Sequence, residues 1–313
     1  MRSPAHLLAE GYAHRRRYVT VPIQSVLVVW GHRTRPAEGH RALSQPDACP
    51  LGPTSERLGV STLPPSPSGG WPAACDTALV RIQAVVFDLF ITLTDWEVER
   101  SRPRLTDDLA AALGVDPLKF SSLMRATFTE RVAGRMGDGR ATFSALATQL
   151  GCDPSSADLD EVMAMRQEQT RQTLTPRDGV LDVIRAIRTD GYAIGVLTDC
   201  TAETPELWPS LPYSAVVDAV TFSCEVGQRK PHPAGYRDIS RKLGVPPEEC
   251  LYVGDGSSAE LSGATSAGMT AVLLETPFGT DFRYDAEGHW TGRSVSDLHH
   301  VRRVLRDLSL EGA

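Results

Sequence analysis

The sequence predicts an α/β fold, a doubly wound, Rossmann-like parallel sheet with an inserted helical domain. Three observations carry this. Short apolar runs recur along residues 84–274, helical patterns separate them, and glycines sit where the helices should stop. Strands that alternate with helices imply a parallel sheet covered on both faces.

The elements follow in order. Val85–Phe87 reads as a buried strand. Four helical stretches come next, approximately Arg104–Leu113, Pro117–Val132, Thr142–Leu150 and Leu159–Leu174, each with apolar residues at three-to-four spacing. They are expected to form a separate cap, residues 97–175, inserted into a core made of residues 80–96 and 176–313. A helix from Asp178 carries Val180, Val183, Ile184 and Ile187 on one face, and Gly191 stops it. Ala193–Leu197, Ala219–Phe222, Cys250–Val253 and Thr270–Leu274 complete the expected strands. Pro233–Leu243 and Ser258–Ala267 are expected helices, stopped by Gly244 and Gly268. Val295–Leu308 closes the chain as an amphipathic helix.

The first 79 residues have a different composition. They hold ten of the 22 prolines, four of the eight histidines and no lysine. Leu63–Gly70 reads as a Pro/Ser/Gly linker. Arg15-Arg16-Arg17 precede an apolar run, but that run is short and interrupted, and no small-residue cleavage site follows. Residues 1–79 are therefore expected to be an extension outside the fold, either a non-native leader before a start near Val80 or an interaction tail.

The net charge of −7 argues against a general nucleic-acid binder. No run of residues is long and apolar enough to suggest a membrane span. The six cysteines show no C-x-x-C spacing and read as reduced thiols of a cytoplasmic protein. A monomer or homodimer is expected.

Chemistry-bearing residues cluster at the ends of the strands. Asp88 follows Ala84-Val85-Val86-Phe87, with Thr92 four residues on. Thr198 and Asp199 follow the second strand. Lys230, one of only three lysines, precedes Pro231-His232-Pro233. Asp255 and Glu260 lie in Val253-Gly254-Asp255-Gly256-Ser257-Ser258-Ala259-Glu260. Carboxyl ends of strands are where open α/β sheets bind ligands, and an ionised Asp there can act as a nucleophile. Each residue also has a plainer explanation: a turn aspartate, a strand threonine, a solvated lysine, or a Ser257/Glu260 helix capping box. The ordered set is harder to explain in that way.

In this order the residues resemble the haloacid dehalogenase superfamily, over roughly residues 82–308, with all four of its motifs present. The helical insertion resembles the cap of the subgroup that holds phosphoglycolate-type phosphatases and 2-haloacid dehalogenases. The resemblance implies a hydrolase in which Asp88 attacks phosphorus and Lys230 orients it. It implies that Thr92, Thr198 and Asp199 bind the substrate, with Thr198 and nearby backbone amides on the phosphate oxygens. It further implies Mg²⁺ held by Asp88, the Phe90 carbonyl, Asp255 and Glu260.

Phe90 departs from the phosphatase pattern, which has a second Asp at this position; losing a positioned acid costs roughly 10²–10⁴ in rate. Ile91 departs too, standing where a glycine is usual. The dehalogenases carry an aromatic at the first of these positions, and a halide leaves without a proton. The pair Lys230 and Tyr236 fits both groups. Asp255 weighs the other way: two carboxylates 4 Å apart repel by about 4 kcal/mol at an effective dielectric near 20, and a third makes a metal-free site worse. The expectation is therefore a Mg²⁺-dependent phosphohydrolase acting on a small phosphorylated substrate. A 2-haloacid dehalogenase and a non-catalytic binding domain are the alternatives. Asp95, Glu97 and Glu99 are candidates for a substitute acid, and Arg100, Arg102, Arg104, Arg125, Arg131 and Arg135 for contacts with an anionic substrate.

Overall fold

A computed structural model describes residues 81–277, 288 and 290–311, with the side chains of 99–104 and 311 outside that description. The expected extension, residues 1–79, lies outside the described residues, as does Val80.

Six parallel strands form one sheet in the order β3-β2-β1-β4-β5-β6: β1 (Ala84–Phe87), β2 (Ala193–Thr198), β3 (Ala219–Phe222), β4 (Cys250–Gly254), β5 (Thr270–Leu274) and β6 (Arg293–Val295). The first three strands run outward from β1 on one side, and β4 returns to its other side. The switch point of the sheet is therefore the crevice between the carboxyl ends of β1 and β4, the expected place for a ligand.

Between β1 and β2 lie α1 (Trp96–Ala112), α2 (Pro117–Ala126), α3 (Phe128–Val132), α4 (Gly139–Gln149) and α5 (Ser156–Thr173). The core helices are α6 (Val180–Thr189), α7 (Glu203–Leu207), α8 (Ser223–Val226), α9 (Pro233–Leu243), α10 (Glu260–Ser266) and α11 (Val301–Glu311). Period-two alternation in β1 divides its side chains between two apolar layers. Val85 and Phe87 pack with α6 and α11 residues such as Ile184 and Leu305, while Ala84 and Val86 pack with Tyr236, Ile239 and Leu261 of α9 and α10. The insertion has its own apolar cluster, with Leu109, Phe120, Phe143, Leu146 and Val162 inside it. Fully burying one such side chain contributes about 1.5–3 kcal/mol. Among the described residues, no helix is long and apolar enough to cross a membrane.

Four expectations need correction. The first helix of the insertion starts at Trp96, because Asp95 caps it by accepting from the Glu97 N–H, and it runs through Pro103. The expected helix Pro117–Val132 is broken at Thr127, whose hydroxyl donates back to the Leu123 carbonyl. Arg293–Val295 is an edge strand paired with β5, so the last helix begins only at Val301. Finally, Ser258 and Ala259 are left-handed, with φ of 58° and 48°, so α10 starts at Glu260 and no Ser257/Glu260 capping box forms.

Candidate active site

Three carboxylates and one ammonium meet at the switch point. Asp88 extends β1, and its N–H donates to the Val253 carbonyl of β4 at 2.9 Å. Asp255 follows β4 directly, and Glu260 opens α10. Ligand oxygens of Asp88, Asp255 and Glu260 all lie within 4.8 Å of one another, and all three residues are buried.

Lys230 enters from the loop before α9. Its Nζ lies 2.5 Å from Asp88 Oδ1 and 2.5 Å from Glu260 Oε2. It also donates to the Tyr252 hydroxyl at 3.3 Å, and Tyr252 in turn donates to Glu260 Oε2 at 2.7 Å. Glu260 Oε1 accepts from the Gly256 N–H at 2.9 Å. These bonds account for the left-handed turn at Ser258 and Ala259: it swings Glu260 back under the β4 edge. Gly254 is required here, because a Cβ at that position would overlap Glu260 Oε1. Asp255 is oriented by Ser257, which donates from both N–H and Oγ at 3.2 and 2.8 Å.

The formal charge of the cluster is three negative against one positive. Burial, first, and then Glu260 push the Asp88 carboxyl well above the usual carboxylate range, against the opposing pull of Lys230; Asp255 adds to the rise. Lys230 is held well above the usual lysine value: burial alone would lower it, but Asp88 and Glu260 outweigh that. A net surplus of buried carboxylate is the donor chemistry of a hard divalent cation, which takes oxygen ligands. The residues present fit Mg²⁺.

The loop after β2 supports Lys230. Asp199 Oδ1 accepts from the Lys230 N–H at 3.0 Å, and Arg229 Nε lies 3.6 Å from Asp199 Oδ2. Burial raises the Asp199 carboxyl. Thr198 ends β2 fully buried, and its hydroxyl has no hydrogen-bond partner among the described residues. The same is true of the Thr92 hydroxyl, while the Thr92 carbonyl accepts from Arg177 at 3.1 Å. Phe90 is half-buried and packs against the core layer on the α6 side. Ile91 adopts φ +68°, a left-handed conformation that disfavours a β-branched residue. Its N–H donates to Thr94 Oγ1 at 2.9 Å, and its carbonyl accepts from the Trp96 indole. The turn keeps the shape a glycine would give it.

The structure thus joins Asp88, Lys230, Asp255, Glu260 and Asp199 in one network. Sequence reasoning missed Tyr252, Ser257 and Arg229 as members of it. The one available signal for Ser257 was its position two residues after an aspartate, the spacing of an Asx turn. Tyr236 instead donates to the Glu260 carbonyl at 2.9 Å. Of the acids considered as substitutes, Asp95 caps α1 and Glu97 is exposed. Arg125 donates to Ser121, Arg135 to Glu130, and Arg131 to the Met124 carbonyl. The side chains of Glu99, Arg100, Arg102 and Arg104 lie outside the described ones.

A haloacid dehalogenase-like hydrolase family model matches residues 82–268. The chain is 28% identical over 200 residues to the glyceraldehyde 3-phosphate phosphatase of Methanopyrus kandleri, covering 62% of this chain and 84% of that one. It is 26% identical over 244 residues to the phosphoglycolate phosphatase of Salmonella typhimurium, covering 66% and 90%. Two solved structures share the fold: an L-2-haloacid dehalogenase from Xanthobacter autotrophicus (TM-score 0.51, 21% identity, 72% of this chain and 98% of that one) and a phosphatase from Thermococcus onnurineus (0.50, 20%, 72% and 98%). The chain belongs to the haloacid dehalogenase-like hydrolases and is a hydrolase.

Proposed function

We propose that this haloacid dehalogenase-like hydrolase is a Mg²⁺-dependent phosphohydrolase of the cytoplasm. It acts on a small phosphorylated metabolite through an aspartyl-phosphate at Asp88. The observation that supports this best is the approach of ligand oxygens of Asp88, Asp255 and Glu260 within 4.8 Å of one another, with Lys230 bonded to Asp88 and Glu260. Asp88 and Asp255, with the Phe90 carbonyl and Glu260, would hold Mg²⁺, which would neutralise the anionic cluster and draw charge from the phosphoryl oxygens.

The chain's own residues do the rest. Asp88 Oδ attacks phosphorus and the substrate's bridging oxygen departs; water later cleaves the acyl phosphate and restores the carboxylate. Lys230 fixes the rotamer of Asp88 and offsets its charge. Its own position is set by Glu260, by Tyr252 and by the bond from its N–H to Asp199. The buried hydroxyls of Thr198 and Thr92 donate to phosphate oxygens, so that donors are already in place where charge develops. Asp199, expected from the sequence to bind substrate, serves the phosphate at one remove by holding Lys230. Residues 97–175 act as a cap that closes over the site and excludes water.

Phe90 leaves no acid two residues after the nucleophile. The reading that fits is a substrate whose leaving group departs with little protonation: an acyl phosphate or an aryl phosphate. The curated relatives, both phosphatases of small phosphorylated metabolites by name, support the substrate class. Phe90 also favours a second reading, a 2-haloacid dehalogenase, which the third carboxylate Asp255 weighs against.

The full chain assayed with Mg²⁺ on acetyl phosphate, p-nitrophenyl phosphate and 2-chloropropionate separates these readings. Phosphate release abolished by EDTA and by Asp88→Asn supports the proposal. Chloride release insensitive to EDTA would replace it with the second reading. Mg²⁺-dependent phosphate binding without turnover would make the domain a non-catalytic binder.

A further inference from the structure

Two thiols meet beside the segment that holds Lys230. Cys200 Sγ and Cys224 Sγ are 3.9 Å apart. The sheet brings them together: Thr198 of β2 pairs in register with Phe222 of β3, and each cysteine lies two residues beyond its strand's paired position. We propose that Cys200 and Cys224 form an oxidisable dithiol, a modification site that a peroxide converts to an intramolecular disulfide.

The pair is asymmetric in the way such chemistry needs. Cys224 is half-buried and reachable, whereas Cys200 is 2% exposed. The two thiols share a hydrogen bond in which either sulfur can donate; it holds Cys224 below the usual cysteine value, while burial pushes Cys200 well above it. The accessible Cys224 is therefore the sulfur a peroxide meets first, and the buried Cys200 sulfur lies 3.9 Å behind it. The Cys224 thiolate attacks one peroxide oxygen: the S–O bond forms, the O–O bond breaks, and the departing hydroxide takes up a proton as water. The Cys200 sulfur then attacks the sulfenic sulfur. The S–S bond forms, the S–O bond breaks, and hydroxide leaves with the Cys200 proton as a second water. The two sulfurs lose two electrons, and the peroxide gains them.

The consequence reaches the catalytic network. An S–S bond is about 2.05 Å long, so bonding draws the two segments together. Cys200 directly follows Thr198-Asp199, and Asp199 holds the Lys230 N–H. On the other side, Ser223 Oγ accepts from the Cys200 N–H at 2.9 Å and donates to the Val132 carbonyl of α3 at 2.6 Å. Gly134 packs so closely on the Cys224 carbonyl that no Cβ would fit there. The cross-link thus strains a joint shared by the β2 loop, the β3 loop and the helical insertion.

The test is peptide mapping of the reduced full chain after treatment with stoichiometric hydrogen peroxide, without a reductant in the digest. The expected product is a Cys200–Cys224 linked peptide pair, reversed by dithiothreitol and absent in Cys224→Ser. Cys152 and Cys250 should stay as thiols. Linkage through any other cysteine, or over-oxidation of Cys224 with Cys200 untouched, would overturn the proposal. This mass readout does not depend on the proposed function. The effect on turnover does rest on it: phosphate release should fall by about tenfold or more in the oxidised protein and return on reduction, since a displacement near 1 Å can cost about 10² in rate. A disulfide that forms and leaves turnover unchanged would overturn that consequence.

Discussion

Lys230, from the loop before α9, and Glu260, at the start of α10, meet 2.5 Å apart in the interior, with 4% of the lysine and none of the glutamate side chain exposed. Lys230 forms the same contact with Asp88. One ammonium thus sets the positions of two of the three carboxylates, and a ligand oxygen of the third, Asp255, lies within 4.8 Å of theirs.

Replacing that ammonium tests the network. Lys230→Met leaves Asp88 and Glu260 buried without their cation, and breaking such a contact costs about 3–5 kcal/mol. Urea unfolding should show a loss of that size in EDTA, and a smaller one in millimolar Mg²⁺. Equal losses in the two buffers would mean that the carboxylates do not share a metal.

Phe90→Asp restores an acid two residues after the nucleophile. Hydrolysis of alkyl phosphate esters should rise by roughly 10² or more, while acetyl phosphate, whose leaving group needs little protonation, should change far less. An unchanged ester rate would show that another acid already serves.

Ile91→Gly probes the left-handed turn. A left-handed L-residue carries strain of about 1–2 kcal/mol, which glycine removes while losing apolar packing and chain stiffness. The two effects nearly cancel, so chemical denaturation should place the variant within about 1 kcal/mol of the wild type. A loss above about 2 kcal/mol, typical of deleting a well-packed side chain, would contradict this reading.

A pH dependence follows from Arg166 on α5 and the buried Glu203 on α7, which are 3.4 Å apart. Burial alone would raise the Glu203 carboxyl, but Arg166 and the Thr201 hydroxyl outweigh it and hold it below the usual glutamate range. The pair therefore contributes stability above the unfolded value near 4.3, and that contribution is lost as pH falls through the lower folded value. Arg166→Leu should cost about 1.5–3 kcal/mol at pH 7, with the gap to the wild type closing in acid. A gap that is constant with pH would show that packing, not charge, sets the effect.

Much of the sheet was legible because its strands are buried on both faces and read as apolar runs. Ala219–Phe222 and Thr270–Leu274 appear as expected. The strand Arg293–Val295 was not legible: it is short and mostly exposed, and only its pairing with β5 makes it a strand. The site residues could be read from their places at strand ends. Their wiring could not, because Tyr252 sits in an apolar strand like any core aromatic, and only the fold brings its hydroxyl to Lys230 and Glu260. Ser257-Ser258-Ala259-Glu260 misled in the opposite sense. It has the spelling of a capping box, yet the demand for Glu260 at Lys230 is met by a left-handed turn.

Calorimetric titration of the metal-free full chain with Mg²⁺, alongside Asp255→Asn, tests most directly whether the buried carboxylates share one cation. One Mg²⁺ per chain is expected to bind the wild type, with at least about a tenfold loss of affinity in the variant, matching the removal of one charged ligand. No Mg²⁺ binding to the wild type, or equal binding by both proteins, would contradict it.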